Sequence, residues 1–193
     1  TSSSSPVAGT PLSSLRRVQN FISDREPPRY PFAIDRPLAA SGANIYAAEC
    51  AACHAAGGAR HGTVVPVAEV GTDRHRLDMW TRGSAVAYNA YGEGREWTFS
   101  KFRTTEGYVA VSLDGLWLRS PYLHNGSVPS LTDVLEPVEN RPRRFWRGYD
   151  VYDSVKVGFV SDGPEAQRQG THYDVMQQGN SNAGHLYGTA LSP

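Results

Sequence analysis

The chain has 193 residues, a length that suits one domain, alone or with a small appendage. Basic and acidic residues number 19 each, so the formal net charge is zero, which argues against the basic face of a nucleic-acid binder. The hydrophobic fraction of 39% permits a core, and no run of 18 apolar residues is present to span a membrane. With 19 Gly and 13 Pro, we expect long ordered loops around a few helices.

The N-terminal part of the sequence has two regions. Residues 1–10, TSSSSPVAGT, are Ser-rich and typical of a flexible linker to an upstream domain, or equally of a disordered terminus. We expect residues 11–193 to form a single domain. Within it, an amphipathic helix is predicted over 11–24, because apolar residues recur there at helical spacing: Leu12, Leu15, Val18, Phe21 and Ile22.

A second helix is predicted from Asp35 onwards, after the Pro-stiffened segment 27–32. Asp35 precedes Arg36 and Pro37, and proline is tolerated in the first turn of a helix. The helical run then extends over 38–53. Gly42 and Tyr46 are four residues apart and so share one face, where the glycine would permit another helix to come close.

This helix ends in the sequence Cys50-Ala51-Ala52-Cys53-His54, which contains both cysteines of the chain. C-x-x-C-H is the attachment pattern for a c-type haem. Each thiol adds across one vinyl group of the porphyrin, and the following His becomes the proximal iron ligand. The alternatives are a redox dithiol in a βαβ context, a zinc pair or two core thiols. His61 and His75 could complete a zinc site but fit no familiar spacing.

The rest of the chain gives weaker signals. A Gly-rich loop follows over 55–75, then a short helix over 74–81 and a short strand over 108–113. A helix is predicted over 130–135, capped by Ser130 with Asp133 three residues later. Residues 136–193 show no strong periodicity. The sequence therefore predicts a mainly α fold: a cytochrome c-like helical core around one covalently bound haem, with long ordered loops and a few short β-strands.

Several motifs resemble one bacterial family. The motif SPYLHNGS (120–127) resembles the segment after the second haem in the dihaem cytochrome c peroxidase superfamily. Five longer stretches together resemble the C-terminal haem half of the rubber oxygenase-like dihaem cytochromes, over nearly all of 12–190. They are PPRYPFAID (27–35), VGTDRHRLDMW (70–80), EGYVAVSLDGLWLRSPYLHNGSVPSLTDVL (106–135), RPRRFWRGYDVYD (141–153) and GNSNAGHLYG (179–188).

The resemblance implies an electron-relay haem. Those relatives carry two haems, one of which has an accessible iron for chemistry, whereas this chain carries one motif and corresponds to the other haem. The Ser-rich stretch adds a second resemblance. Similar monohaem modules are joined by such linkers to carbohydrate-binding modules in bacteria that degrade plant cell walls, as in Cellvibrio-type secreted redox proteins.

The resemblance also indicates the second axial ligand of the iron. In the family, the His of the Asn-Ala-Gly-His motif is the distal ligand, and His185 stands at that place. Gly179 and Gly184 would let this loop fold close to the porphyrin. Met176 is the alternative, since a thioether ligand would raise the reduction potential, and an open position is another. Met79 is expected in the core beside Trp80.

Other histidines receive different interpretations. His61 is too near His54 to cross the haem plane, and His75 lies among charged residues on a solvated face. The resemblance places His124 in the haem pocket rather than on the iron, where it would bond a propionate or a buried backbone group, or be purely structural. Three further residues are candidates to face the propionates: Arg103, Trp117 and Arg119.

The resulting functional hypothesis is electron transfer by one haem c whose iron is held by His54 and His185. Bis-His ligation predicts a low reduction potential. The expected redox partner is a secreted oxidative enzyme such as a copper-dependent polysaccharide monooxygenase, and haem attachment outside the cytoplasm predicts a periplasmic or secreted location. The alternatives are a haem peroxidase or oxygenase with a labile distal ligand, and a gas or redox sensor.

Overall fold

The computed structural model describes residues 12–91, 93–94 and 102–191. The proposed linker at 1–10 lies outside these residues. The described chain contains eight α-helices and six β-strands in this order: α1 (Leu12–Ser23), α2 (Arg36–Glu49), α3 (Ala51–His54), β1 (Val64–Pro66), α4 (Val67–Val70), α5 (His75–Asp78), α6 (Arg82–Tyr91), β2 (Gly107–Val109), α7 (Leu131–Val134), β3 (Arg144–Arg147), β4 (Tyr152–Asp153), β5 (Gly158–Phe159), α8 (Gly163–Gln169) and β6 (Thr171–Asp174). None of the helices described is long and apolar enough to cross a membrane.

The two predicted N-terminal helices are present. Asp35 caps α2, because its Oδ1 accepts a hydrogen bond of 2.9 Å from the Leu38 amide. The helix breaks at Cys50, and α3 then carries the second cysteine and the histidine. The apolar face of α1 is exposed, with Phe21 and Ile22 at 61% and 64%. The expected helix packing at Gly42 is wrong for the described residues, since a Cβ there would meet nothing within 4 Å.

Aromatic contacts fasten the segment before α2 to the core. The Phe32 ring stacks on Tyr152 with ring centroids 5.5 Å apart, and the Tyr30 hydroxyl donates to the Ser154 carbonyl. The Trp117 indole N–H donates to the Pro28 carbonyl over 3.0 Å. These contacts place the start of α2 against the C-terminal half of the chain.

Three two-stranded antiparallel sheets lie within the described residues: β1 with β2, β3 with β6, and β4 with β5. β1 and β2 pair Val65 with Tyr108, and the chain leaving β2 passes beside α3. β3 and β6 pair Phe145 with Tyr173, whose rings are 5.0 Å apart. The strands of 136–193 have two to four residues, too short for an alternating pattern to be read from the sequence.

The buried core lies mainly in the second half of the chain. One cluster contains Tyr122, Val128 and Val134, and another contains Phe145, Tyr173 and Val175. The predicted cap of α7 is confirmed: the Ser130 hydroxyl accepts from the Asp133 amide. Met79, expected in the core, is 66% exposed, so that expectation is wrong. It lies at the end of α5, a single turn whose outer side faces solvent.

Candidate functional site

The C-x-x-C-H motif occupies the bend between α2 and α3. The amides of Cys53 and His54 both donate to the Cys50 carbonyl, which closes a tight turn and holds the three side chains together. Both thiols are free and half-buried. Burial is the main cause that raises the pKa of Cys50, and the charges of Glu49 and Cys53 raise it further. Cys50 is therefore held in its neutral thiol form at neutral pH.

The tautomer of His54 is set by a backbone carbonyl. Its Nδ1 lies 2.8 Å from the Val111 carbonyl oxygen, which can only accept, so Nδ1 carries the hydrogen. The lone pair is then on Nε2, the nitrogen free to bind a metal. Metal-binding histidines usually donate their other ring N–H in this way, which fixes the ring and increases its basicity. Sequence reasoning missed Val111, because a backbone acceptor leaves no residue signature.

The ring of His185 lies opposite that of His54. Their centroids are 6.2 Å apart and the planes are inclined by 41°. The structure thus brings together two histidines that are far apart in the sequence. Two imidazoles that share one metal through nitrogen bonds of about 2 Å have centroids about 6 Å apart. The observed spacing would suit one iron bound by both rings.

The loop that carries His185 is docked on the turn after α4. The His185 amide donates to the Val70 carbonyl over 2.7 Å, and His185 itself has a left-handed φ of 51°. Gly184 lies against the backbone of Gly71 and Thr72 so closely that a Cβ would overlap both. The close approach at Gly184 is thus to the protein backbone, and the predicted approach of this loop to the porphyrin stays a prediction. Gly179 instead lies beside the His75 side chain.

The surroundings of His185 keep its imidazole neutral. Burial is the main cause that lowers its pKa. A backbone hydrogen bond opposes this, and electrostatic interactions with His54 and Arg141 lower the pKa further. The Nδ1 atom is buried and has no hydrogen-bond partner among the described residues. A neutral ring with a nitrogen that the described residues leave unpaired is available to a group from outside the chain. Together with the free Nε2 of His54 and the two thiols, it fits a covalently attached haem.

His124 occupies a different environment. Its ring stacks on Tyr108, with centroids 4.0 Å apart and planes inclined by 19°. Its Nε2 is buried without a partner among the described residues, and burial lowers its pKa. The neighbouring Asn125 side chain donates to the carbonyls of Gly179 and Ser181, which links this turn to the C-terminal loop. The predicted bond from His124 to a propionate stays a prediction.

The remaining candidates lie apart from the two opposed histidines. Met176 is 76% exposed, and its amide donates to Asp174. His75, the first residue of α5, is exposed and pairs with the buried side chain of Asp73. The ring of His172, on β6, packs edge-on against Trp146. His61 lies in the turn after α3. Among the residues described, no group of three or more His, Cys, Asp or Glu could hold a metal ion.

Two of the residues expected near propionates are engaged by the protein itself. The indole N–H of Trp117 donates to the Pro28 carbonyl, and the Arg119 guanidinium donates to the carbonyls of Ser112 and Asp114. Arg103 is exposed. The contacts of Trp117 and Arg119 are structural ones that fasten the loop 112–119.

Comparison with known proteins gives a class for this domain. Residues 107–147 match the family model described as RoxA-like, cytochrome c-like. This match supports a c-type cytochrome-like module with haem-based redox chemistry, and such a module implies haem c. The matched segment contains β2, Val111 and His124.

Two curated relatives extend the likeness along the chain. The uncharacterized protein y4iM of Sinorhizobium fredii is 31% identical over 215 residues, an alignment that covers 93% of this chain and 49% of that protein. The uncharacterized protein y4iJ of the same organism is 27% identical over 235 residues, covering 91% and 39% respectively. The chain therefore spans half or less of the length of these relatives.

Proposed function

We propose that this domain transfers electrons through one covalently attached haem c, held between His54 and His185. The observation that carries the proposal is the opposition of the two imidazoles at 6.2 Å, one of them following the only two cysteines of the chain. When bound, the haem supplies a one-electron ferric–ferrous couple. The chain's own residues determine how closed and how rigid that centre is.

Each residue of the site has a distinct task. Cys50 and Cys53 would hold the haem through two thioether bonds, each formed when an S–H adds across a vinyl C=C of the haem. His54 is oriented by its bond to Val111 and presents Nε2. His185 would bind the iron together with His54 and would exclude small molecules from it. Two neutral nitrogen ligands and no thioether predict a low reduction potential.

The test is spectroscopic. Optical and EPR spectra of the ferric protein, followed by carbon monoxide addition to the ferrous form, are compared in wild type and His185→Ala. We expect a low-spin wild type that does not bind carbon monoxide, and a variant that is high-spin and binds it. Added imidazole should restore the low-spin state in the variant. His75→Ala is the control, since that histidine is exposed and bonded to Asp73.

Two other results would contradict the assignment of His185 as an iron ligand. A wild type that binds carbon monoxide would favour the peroxidase or oxygenase alternative, with a labile distal ligand. A low-spin His185→Ala protein that becomes high-spin only when Met176 is also changed to Leu would make Met176 the ligand. In either case the assignment of His185 would be overturned.

The proposed partner rests on the resemblance and the Ser-rich stretch, and the proposed location rests on the attachment of haem c outside the cytoplasm. The proposed partner is a secreted copper-dependent polysaccharide monooxygenase, and the proposed location is periplasmic or extracellular. Rapid mixing of the reduced domain with such an enzyme should accelerate haem reoxidation above the rate with oxygen alone. Equal rates with and without the copper enzyme would count against this partner.

A further inference from the structure

Arg141, three residues before β3, is a buried guanidinium whose hydrogen bonds all go to backbone carbonyls. Its side chain is among the largest fully buried ones, with a residue exposure of 2%. Arginine has five N–H donors, and each finds a carbonyl acceptor. Nε donates to Glu136, Nη1 to Asn182 and Gly184 at 2.6 and 2.9 Å, and Nη2 to Val134 and His185 at 3.1 and 3.4 Å.

No carboxylate lies within ion-pair distance of Arg141 among the described residues. Burying a charge without a counter-ion is costly unless hydrogen bonds compensate for the lost water. Here the compensation comes from carbonyl dipoles of two segments, the end of α7 and the loop 182–185. Such an arrangement orders these two segments around one side chain.

Three of the five acceptors belong to the loop that presents His185. Asn182, itself 7% exposed, returns a hydrogen bond from its side chain to the Pro142 carbonyl, next to Arg141. The other two acceptors in this loop, Gly184 and His185, both have a left-handed backbone conformation. A left-handed non-glycine residue is strained and needs surrounding structure to hold it. Arg141 supplies part of that structure from the interior.

We propose that Arg141 is the positioning residue for the distal ligand: its five carbonyl bonds hold the loop 182–185 so that the His185 ring stays opposite His54. The proposal rests on the proposed function, in which His185 binds the iron. Lysine at this position would keep the charge, but with three donors on one nitrogen it cannot bridge five carbonyls spread over two segments. Loss of these bonds frees the loop to move His185 off the metal.

The experiment compares Arg141→Lys with Arg143→Lys in the haem-loaded protein. Arg143 is two residues away in the same RPRR stretch but is exposed, so it controls for charge and composition. We expect Arg141→Lys to bind carbon monoxide, which the wild type does not, and to show a high-spin fraction. Arg143→Lys should match wild type. Circular dichroism and thermal melting establish that both variants are folded.

The double variant separates positioning from general loosening. If Arg141 acts through His185, then Arg141→Lys should change carbon monoxide binding in wild type and add nothing in the His185→Ala background. Full additivity in that background would mean that Arg141 affects the pocket independently of the ligand, and would overturn the proposal. A folded Arg141→Lys protein that remains low-spin and inert to carbon monoxide would overturn it as well.

A second measurement applies if Arg141→Lys does not fold. Hydrogen exchange of the Arg141 guanidinium protons and of the 182–185 amides is followed by NMR in wild type and His185→Ala. Coupling between two groups is reciprocal, so removing the ligand should speed this exchange at least about tenfold. Unchanged exchange would overturn the positioning role. Failure of the proposed function is distinct, because His185→Ala alone would then leave the spin state as in wild type.

Discussion

Gly184 and Gly71 meet backbone to backbone, so closely that a Cβ on Gly184 would overlap the carbonyl carbon of Gly71. Both residues have left-handed φ values, 81° and 73°. This contact joins the C-terminal loop to the turn after α4. It therefore helps to position the following residue, His185, relative to α3. The adjacent bond from the His185 amide to the Val70 carbonyl fixes the same crossing.

Gly184→Ala should therefore move the loop and destabilise the protein. A left-handed alanine costs roughly 1–2 kcal/mol, and the overlap with Gly71 adds about 1–3 kcal/mol. Gly163→Ala is the matched control, because Gly163 has a φ of 83° but a Cβ added there would meet no heavy atom within 4 Å. Chemical denaturation should give a lower free energy of unfolding for Gly184→Ala than for Gly163→Ala. Of the two variants, only Gly184→Ala should gain a high-spin fraction. Equal losses would mean that the overlap is relieved without cost.

Replacement of the cysteines tests the covalent attachment. Single variants Cys50→Ala and Cys53→Ala should each keep the haem through the remaining thioether, whereas the double variant should release it to acidified acetone. The pyridine haemochrome spectrum should shift stepwise as each thioether is lost. Haem that remains unextractable in the double variant would show that the two cysteines are not the attachment points.

His124 offers a test of its predicted role near a propionate. His124→Phe keeps a flat ring to stack on Tyr108 but removes the buried Nε2 that has no partner among the described residues. If this nitrogen donates to a propionate, its loss leaves that negative charge less compensated and should lower the reduction potential. Tyr108→Phe is the control, since it removes only the hydroxyl that donates to Asp73. A potential that is equal in all three proteins would indicate a structural histidine.

The contact of Arg60 with Glu69 predicts a small pH dependence of stability. Arg60 Nη2 donates to Glu69 Oε2 over 2.7 Å, and this bond holds the pKa of Glu69 below its usual 4.5 in the folded state. The folded chain therefore binds the proton less readily than the unfolded chain. Its contribution to stability is present above pH 4.5 and is lost as pH falls through the lower folded value. Because the pair is solvent-exposed, the effect on stability is small.

Denaturation curves between neutral and acid pH should show this contribution in wild type and not in Glu69→Gln. Glu139→Gln serves as the control, since Glu139 is exposed and lacks an ion pair among the described residues. A Glu69→Gln curve parallel to wild type throughout the acid range would contradict the prediction. The Tyr187 hydroxyl also bonds Glu69, so Tyr187→Phe should reduce the effect partially.

Much of the local structure was predictable from the sequence. The start of α2 follows from the capping chemistry of Asp35, and the cap of α7 follows from Ser130 and Asp133, because these signals act over three residues. The C-x-x-C-H motif likewise lies within five consecutive residues. The prediction from local pattern was wrong for Met79, which is exposed. Whether an apolar residue is buried depends on what packs over it, and this is not visible in the local sequence.

The sequence by itself determined the helices with strong periodicity and the C-x-x-C-H motif. Through its resemblance, it also favours His185 over the other histidines and methionines as the proposed second ligand. Only the tertiary structure decided that the rings of His54 and His185 lie opposed, that Val111 orients the first, and that Arg141 holds the loop of the second. The physical reason is that these contacts join segments far apart in the chain. Two of them end on backbone carbonyls, which every residue type possesses and no sequence pattern marks.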